Sequence, residues 1–353
     1  MARHRSIALL VSLLALASAP AAAAAPPPVP FRGTSIWVVR APIEAAPALV
    51  AQAHSAGARS LIVKAAEGAA PEPQFSPALV AALRAGGVGV CAWTFDSGAD
   101  PTAEAAVAAA AGAQTGCLVV DAEGEYDCRY AAAQAFVRAL RSQLGSSFPI
   151  ALAGQAEVLE HPQFPYSVFL GPGGFDVDMP QVYWRAFGQS VASALARTVP
   201  INSIYGRPIV PLGQLFGNPS RGDLEAFRAL VAAYGLGGSS FFDLDSAQPA
   251  AVGELAAKPV RRPRLPVRAP TLRPGADGDE VLWAQELLDA AGVRLTVGGF
   301  FGAETGHALV RFQARHHLRR GGLLDAPTWA ALKRLHAREP SWSTAPALCA
   351  ASE

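Results

Sequence analysis

The run Leu118-Val119-Val120-Asp121-Ala122-Glu123-Gly124-Glu125 carries an apolar stretch into two carboxylates one residue apart. In a strand, side chains alternate faces, so Asp121 and Glu123 would point the same way. Two neighbouring carboxylates push each other's pKa apart, so one can keep its proton as a general acid while the other stays an anion. Hydrolysis of a glycosidic bond needs that division: a proton for the leaving oxygen and support for positive charge at the sugar carbon. A later apolar run, Phe242-Asp243-Leu244-Asp245, supplies a third acid, Asp243. Further candidates at the ends of apolar runs are Lys64, Trp93, Asp96, Gln155, Gln181, Tyr183, Gln214 and Asp245. Aromatic rings stack on sugar faces and amides bond hydroxyls, so this mixture suits substrate binding in a glycan groove. In Gln181-Val182-Tyr183-Trp184, alternation puts Gln181 and Tyr183 on one face and Trp184 on the other.

Other chemistries find less support. His54 and His161 are the histidines of residues 31–257 and lie on a helix-like and a loop stretch, with no HExxH, so no metal site and no cofactor is expected. There is no GxSxG elbow, no P-loop and no dinucleotide fingerprint. Cys91, Cys117 and Cys128 have no evident histidine partner for nucleophilic catalysis.

The elements that must position these residues alternate. Strand candidates are Thr34–Arg40, Ser60–Ala66, Val88–Phe95, Cys117–Glu123, Pro149–Gln155, Val177–Trp184, Ile209–Phe216 and Ser239–Asp245, with Ala-rich helical stretches between them. Only the connection over 156–176, rich in Gly and Pro, is poorly defined. Alternation of this kind means a parallel sheet with right-handed crossovers, and eight units over 31–257 predict a (β/α)8 TIM barrel, an α/β fold whose active site lies at the C-terminal ends of the strands. The alternative, an open doubly wound sheet, usually carries a Gly-rich loop after its first strand, whereas here Trp37-Val38-Val39-Arg40 runs into Ala41-Pro42.

The chain's 353 residues are 51% hydrophobic and 16% charged, which excludes a disordered polyelectrolyte. Its net charge of +1 gives no reason to expect a nucleic-acid partner. The charge is unevenly spread: residues 31–257 hold 13 Lys and Arg against 19 Asp and Glu, and residues 258–353 hold 14 against 9. An acidic body with a basic tail suggests two modules. Arg3, His4 and Arg5, the apolar run Ile7–Ala17 and the small residues that follow predict a signal peptide over 1–25, too short in its core to span a membrane. The mature chain would then be secreted and extracellular, with no membrane partner, and monomeric. Cys91, Cys117, Cys128 and Cys349 fit an oxidising compartment, with their pairing open among three connectivities. Residues 258–270, KPVRRPRLPVRAP, read as a semi-rigid linker. Residues 337–353 read as a flexible tail.

Residues 271–336 contain a repeat. Gly298–Leu309 aligns with Gly321–Leu332 at six of twelve positions, each copy a Gly turn, an apolar pair and a helix start. A preceding helix over Glu280–Ala291 places Val281, Leu282, Gln285 and Leu288 on one buried stripe. Together they predict a small three-helix all-α domain.

This unit resembles the peptidoglycan-binding type 1 domain. The resemblance is carried by Leu272-Arg273-Pro274-Gly275, Gly278 with Val281, Gln285 with Leu288, Gly299-Phe300-Phe301-Gly302, Thr305, Phe312-Gln313, and Leu324 with Thr328-Trp329. It implies adhesion to peptidoglycan or another cell-wall glycan, and no catalysis. The Asp-x-Glu of the fourth strand and Asp243 of the eighth resemble the lysozyme-type barrels of glycoside hydrolase family 25, and are more weakly similar to the chitinase-like barrels of family 18. That resemblance implies catalytic roles: Glu123 as proton donor, Asp121 orienting an acetamido group or stabilising the ring cation, and Asp243 supporting. Where the longer family 18 motif has a further Asp, this chain has Val119. The combined expectation is an exported, wall-associated glycosidase tethered by its binding module. The alternative is a non-catalytic peptidoglycan-binding protein with a degenerate barrel.

Overall fold

The computed structural model describes residues 25–338 and 341–350. The signal peptide expected over 1–25 lies, but for Ala25, outside them. Eight parallel strands form the body: Gly33–Val38, Ser60–Glu67, Gly89–Phe95, Leu118–Asp121, Ile150–Ala153, a sixth in two pieces (Val177–Asp178 and Gln181–Val182), Leu212–Gln214 and Gly238–Phe242. The sheet order runs from the first piece of the sixth strand back through the fifth to the first, then through the eighth and seventh to the second piece of the sixth. Because both pieces belong to one strand, the sheet closes on itself. Bridges Gln155–Gln181 and Asp178–Ile209 pair across the seam. Pro180 breaks the strand because it has no N–H to give, yet its carbonyl still accepts from Leu212 at 2.9 Å. The molecule is thus a (β/α)8 barrel followed by a small three-helix domain.

Alternation sorts the strand side chains. Trp37, Ile62, Cys91, Trp93, Val119, Ala151, Val177 and Leu212 fill the interior, with Cys91 and Cys117 joined as a disulfide. Val38, Val63, Val182, Trp184 and Phe241 face out against the helices. Four of the barrel helices start on side-chain caps: Ser76 accepts from Leu79, Asp100 from Ala103, Ser190 from Ser193, and Ser220 forms a capping box with Asp223. The poorly defined connection over 156–176 holds a one-turn 3-10 helix, Val158–Glu160, and a short helix, Tyr166–Leu170.

The C-terminal helices are Asp279–Ala290, Ala303–Arg315 and Ala326–Leu332. Both copies of the repeat use one hydrogen-bond scheme. Gln285 Oε1 accepts from the amides of Gly298 and Gly299, and its Nε2 donates to Phe300 O and Thr305 Oγ1. Gln313 Oε1 accepts from Gly322, and its Nε2 donates to Leu323 O and Thr328 Oγ1. Each glutamine therefore ties a glycine turn to the start of the next helix. Gly299 and Gly322 have positive φ, which a side chain would strain.

Two expectations about the C-terminal part are corrected. The linker lies along the barrel: Leu265 N donates to Ala233 O at 2.9 Å, and Leu265 and Val267 pack on the outer core. Its apolar residues have a surface to cover, so it does not stand away as a spacer. The described residues of the tail are held, not free. Cys349 is disulfide-bonded to Cys128, Trp342 N donates to Gln134 Oε1, and Leu348 N donates to Gly298 O. Consistent with this, one continuous apolar core runs from Phe136, Tyr166 and Ile204 of the barrel into Leu282, Trp283 and Leu287 of the small domain.

Candidate active site

The fourth strand ends at Asp121, whose place in line with Cys117 and Val119 turns it into the barrel. Glu123 follows two residues on, half-buried, where the chain leaves the strand. The sixth strand brings Gln181 and Tyr183 to the same mouth. Gln181 Nε2 donates to Asp121 Oδ1 and to Glu123 Oε1, each at 2.9 Å. One amide group thus spaces two carboxylates. Asp121 is 8% exposed. Burial first, then the charges of Glu123 and Asp96, push its carboxyl well above the usual range, with Lys64 opposing. Burial, followed by the charges of Asp121, Glu123 and Asp243, pushes the Tyr183 phenol up as well. Tyr183 therefore stays a neutral hydroxyl facing three acids.

Around them stands an aromatic wall. Trp93 lies 5.0 Å from Trp37 and 6.3 Å from Phe242, and Tyr183 lies 5.1 Å from Phe216, centroid to centroid. Lys64 Nζ sits 5.3 Å over the Trp93 ring and pairs with Glu67 and Glu72. Trp184 faces out and packs on Phe227.

The remaining candidates divide. Asp243 is buried and accepts from the amide and hydroxyl of Ser246 at 2.9 and 2.8 Å, and the Phe242–Asp243 peptide bond is cis. Asp245 accepts from the amides of Val39 and Arg40, so it ties the loop after the eighth strand to the first strand. Gln214 is buried, accepting from Arg185 N and donating to Phe216 O. Asp96 is also buried, accepting from Thr94 Oγ1 at 2.6 Å. Burial and the charge of Glu104 push it up, with the Thr94 bond opposing. Asp245 and Gln214 are thus tied to neighbouring backbone, while Asp96 lies close enough to Asp121 for its charge to act on that carboxyl. Gln155 lines a cavity of about 200 Å³ that opens beside Gln181 and Tyr183.

That cavity brings in residues the sequence pattern did not single out, Glu157, Glu160, Phe187 and Gln189, together with His161. Glu157 Oε1 accepts from Gln189 Nε2 at 2.7 Å, and Arg197 bonds both Glu157 and Glu160. Burial pushes Glu157 up, but the bonds from Gln189 and Arg197 outweigh it and hold its carboxyl below the usual range. Glu157, Glu160 and His161 lie inside the ill-defined connection, and Phe187 and Gln189 lie in the loop after the sixth strand. Among the described residues no group of His, Cys, Asp and Glu is arranged to hold a metal ion, and no helix is long and apolar enough to cross a membrane.

Comparison with known proteins locates the C-terminal unit first. Residues 277–332 match the PG_binding_1 family model, described as a peptidoglycan binding domain. A peptidoglycan-binding protein from Clostridioides difficile, solved with glutamine hydroxamate, is 34% identical over 18% of this chain and 41% of its own, with a TM-score of 0.18. This chain therefore spans well under half of that protein's length. The barrel is similar to the Bacillus cereus spore cortex-lytic enzyme SleL, at 11% identity over 64% of this chain and 73% of that one, with a TM-score of 0.47. It is also similar to a fungal endo-beta-N-acetylglucosaminidase from glycosyl hydrolase family 18, at 16% identity over 63% and 93%, with a TM-score of 0.45. No curated protein matches the chain. The small domain thus carries the peptidoglycan-binding family match.

Proposed function

We propose that this chain is a wall-directed glycosidase that hydrolyses a glycosidic bond in peptidoglycan or a related amino-sugar polymer. The observation that carries the reading is the pairing of Asp121 and Glu123 through Gln181 at the barrel mouth. The C-terminal match to a peptidoglycan binding domain supports the choice of polymer. Asp121 is buried and holds a proton strongly, while Glu123 is the more accessible of the two. Passing that proton to Glu123 puts the acid where a glycosidic oxygen can reach it. It also leaves an ionised Asp121 facing the charge that develops at the sugar carbon. Tyr183 is a neutral donor for the acetamido group or the ring substituents, and Asp243 supports the cluster electrostatically. Export, with residues 1–25 as a leader, would bring the enzyme to its substrate.

Dye release from purified cell walls tests this. Wild-type protein releases dye, and Glu123→Gln abolishes release while wall binding and folding persist. If the wild type releases nothing from any wall type yet still binds walls, the barrel is a non-catalytic scaffold for the binding domain.

A further inference from the structure

We propose that the cavity between the ends of the fifth and sixth strands is a specificity pocket for the amine- and amide-bearing peptide branch of a peptidoglycan sugar. This rests on the reading of the adjacent carboxylates as the cleavage site, because the pocket shares Gln181 and Tyr183 with them as walls. Its other walls include the outward-facing Val182 and Trp184 and the helix residues Ala194 and Thr198, so the pocket runs from Gln181 and Tyr183 toward the barrel's outer layer.

The lining selects the ligand. A bare glycan is a neutral polyol, and aromatic faces with neutral amides suffice to hold it. This pocket instead concentrates ionised acceptors. Glu157 and Glu160 share one cation, Arg197, with His161 on the same lining, so with a neutral imidazole the cluster carries a formal excess of one negative charge. The Glu157 carboxylate is fixed by Gln189 and Arg197, an arrangement that holds an acceptor in place. Glu160 is exposed at the rim, where Arg197 bonds one of its oxygens. Phe187, 64% exposed, adds an apolar face that no neighbouring element covers. Acceptors, residual negative charge and an apolar edge match a substituent that donates N–H groups and carries an ammonium. At about 200 Å³ the space is below the roughly 300–1,000 Å³ of a whole-ligand site, and suits one amino-acid-sized branch better than a second length of sugar chain.

The test uses full-length protein carrying Glu123→Gln, so that bound substrate is not consumed. Calorimetry compares a disaccharide bearing an amine-containing stem peptide with the same disaccharide lacking the peptide. The peptide-bearing ligand binds about tenfold more tightly. Adding Glu160→Gln or Phe187→Ala, both exposed positions whose change leaves the core intact, brings the two affinities together. Equal affinities at the outset overturn the assignment and leave Glu157, Glu160 and Arg197 as an ion-pair cluster pinning a loop. A preference that survives both pocket variants belongs to the domain at 277–332 and overturns it too. Wild-type dye release is read separately: pocket binding without release sinks the cleavage reading alone.

Discussion

The phenol of Tyr130 donates to the carboxyl of Asp279 at 2.9 Å, joining the barrel to the peptidoglycan-binding domain across 149 residues of sequence. Tyr205 donates to the same carboxyl at 2.9 Å, and the amide and hydroxyl of Ser167 at 2.8 and 2.6 Å. Asp279 is fully buried, and four donors from the barrel converge on it. The two units are therefore one packed body, and the small domain is fixed in direction relative to the barrel mouth. Asp279→Ala leaves those donors buried without an acceptor, at a cost of roughly 3 kcal/mol. The expected outcome is early proteolytic release of the C-terminal unit, or a separate low-temperature melting step, in a protein whose barrel remains folded. A single unshifted transition would contradict it.

The same interface should weaken as pH rises. Burial raises Asp279 to about 6, against its hydrogen bonds, and raises Glu280 to about 8, with Asp279 and Asp277 adding to the rise. Glu286 is also pushed up, by burial and by Asp279. A carboxyl whose pKa is higher when docked contributes fully below its ordinary value, and that contribution is lost as pH climbs through the docked value. The loss runs from about pH 4 to 6 for Asp279 and continues to about 8 for Glu280. Melting temperature should fall across that range. Glu280→Gln, which cannot ionise, should flatten the upper part of the slope. A melting temperature constant from pH 5 to 8 would refute this.

Cys349 closes the tail onto Cys128, five residues past Glu123, with a sequence separation of 221. Cross-links over long loops restrict the unfolded chain most, and losing one typically costs about 2–4 kcal/mol. Cys349→Ala should lower the melting temperature and expose the tail to carboxypeptidase. If reductant destabilises the wild type and the variant equally, this bond is not the source of the effect.

The barrel was legible because its code is local. Apolar runs marked all eight strands, and the parity that separates Tyr183 from Trp184 followed from the alternation of side chains along a strand. Asp121 and Glu123 were visible as a pair because they sit on one strand. What stayed hidden depends on pairings distant in sequence. Gln181 lies 58 residues from Glu123, and nothing local says that it bridges two acids. The helix Asp279–Ala290 was read with one buried stripe, yet it is buried continuously from Asp279 to Leu288 because barrel and small domain enclose it. Asp279 looks like a solvated acid until the barrel's hydroxyls are placed beside it. Tyr166–Leu170 was missed because five residues between Pro165 and Gly171 carry no periodicity to read.

In the small domain, Gln313 is the test of the repeat. It is buried, accepts from Gly322 N and donates to Leu323 O and Thr328 Oγ1. Gln313→Ala strands those partners and should destabilise the domain by about 2–3 kcal/mol. Gln285→Ala should cost as much, because it serves the first copy in the same way. Wall-pelleting assays would show binding lost in step with folding. Loss of binding in a fully folded Gln313→Ala protein would instead place Gln313 against the ligand.

Gln181 offers a sharper probe of the chemistry than either carboxylate. Its amide supports negative charge on Asp121 and on Glu123 at once. Gln181→Leu keeps similar bulk but removes both donated bonds. With fewer donors to stabilise its anion, Asp121, already raised by burial, should hold its proton more tightly still. The acid form of the site then persists to higher pH, so the alkaline limb of kcat/KM should move upward while the maximum falls by roughly 10- to 100-fold. A variant that merely loosened the fold would lower the whole profile without shifting that limb. The position of the limb, measured on dye-labelled walls, therefore separates a residue that tunes the acid pair from one that only packs beside it.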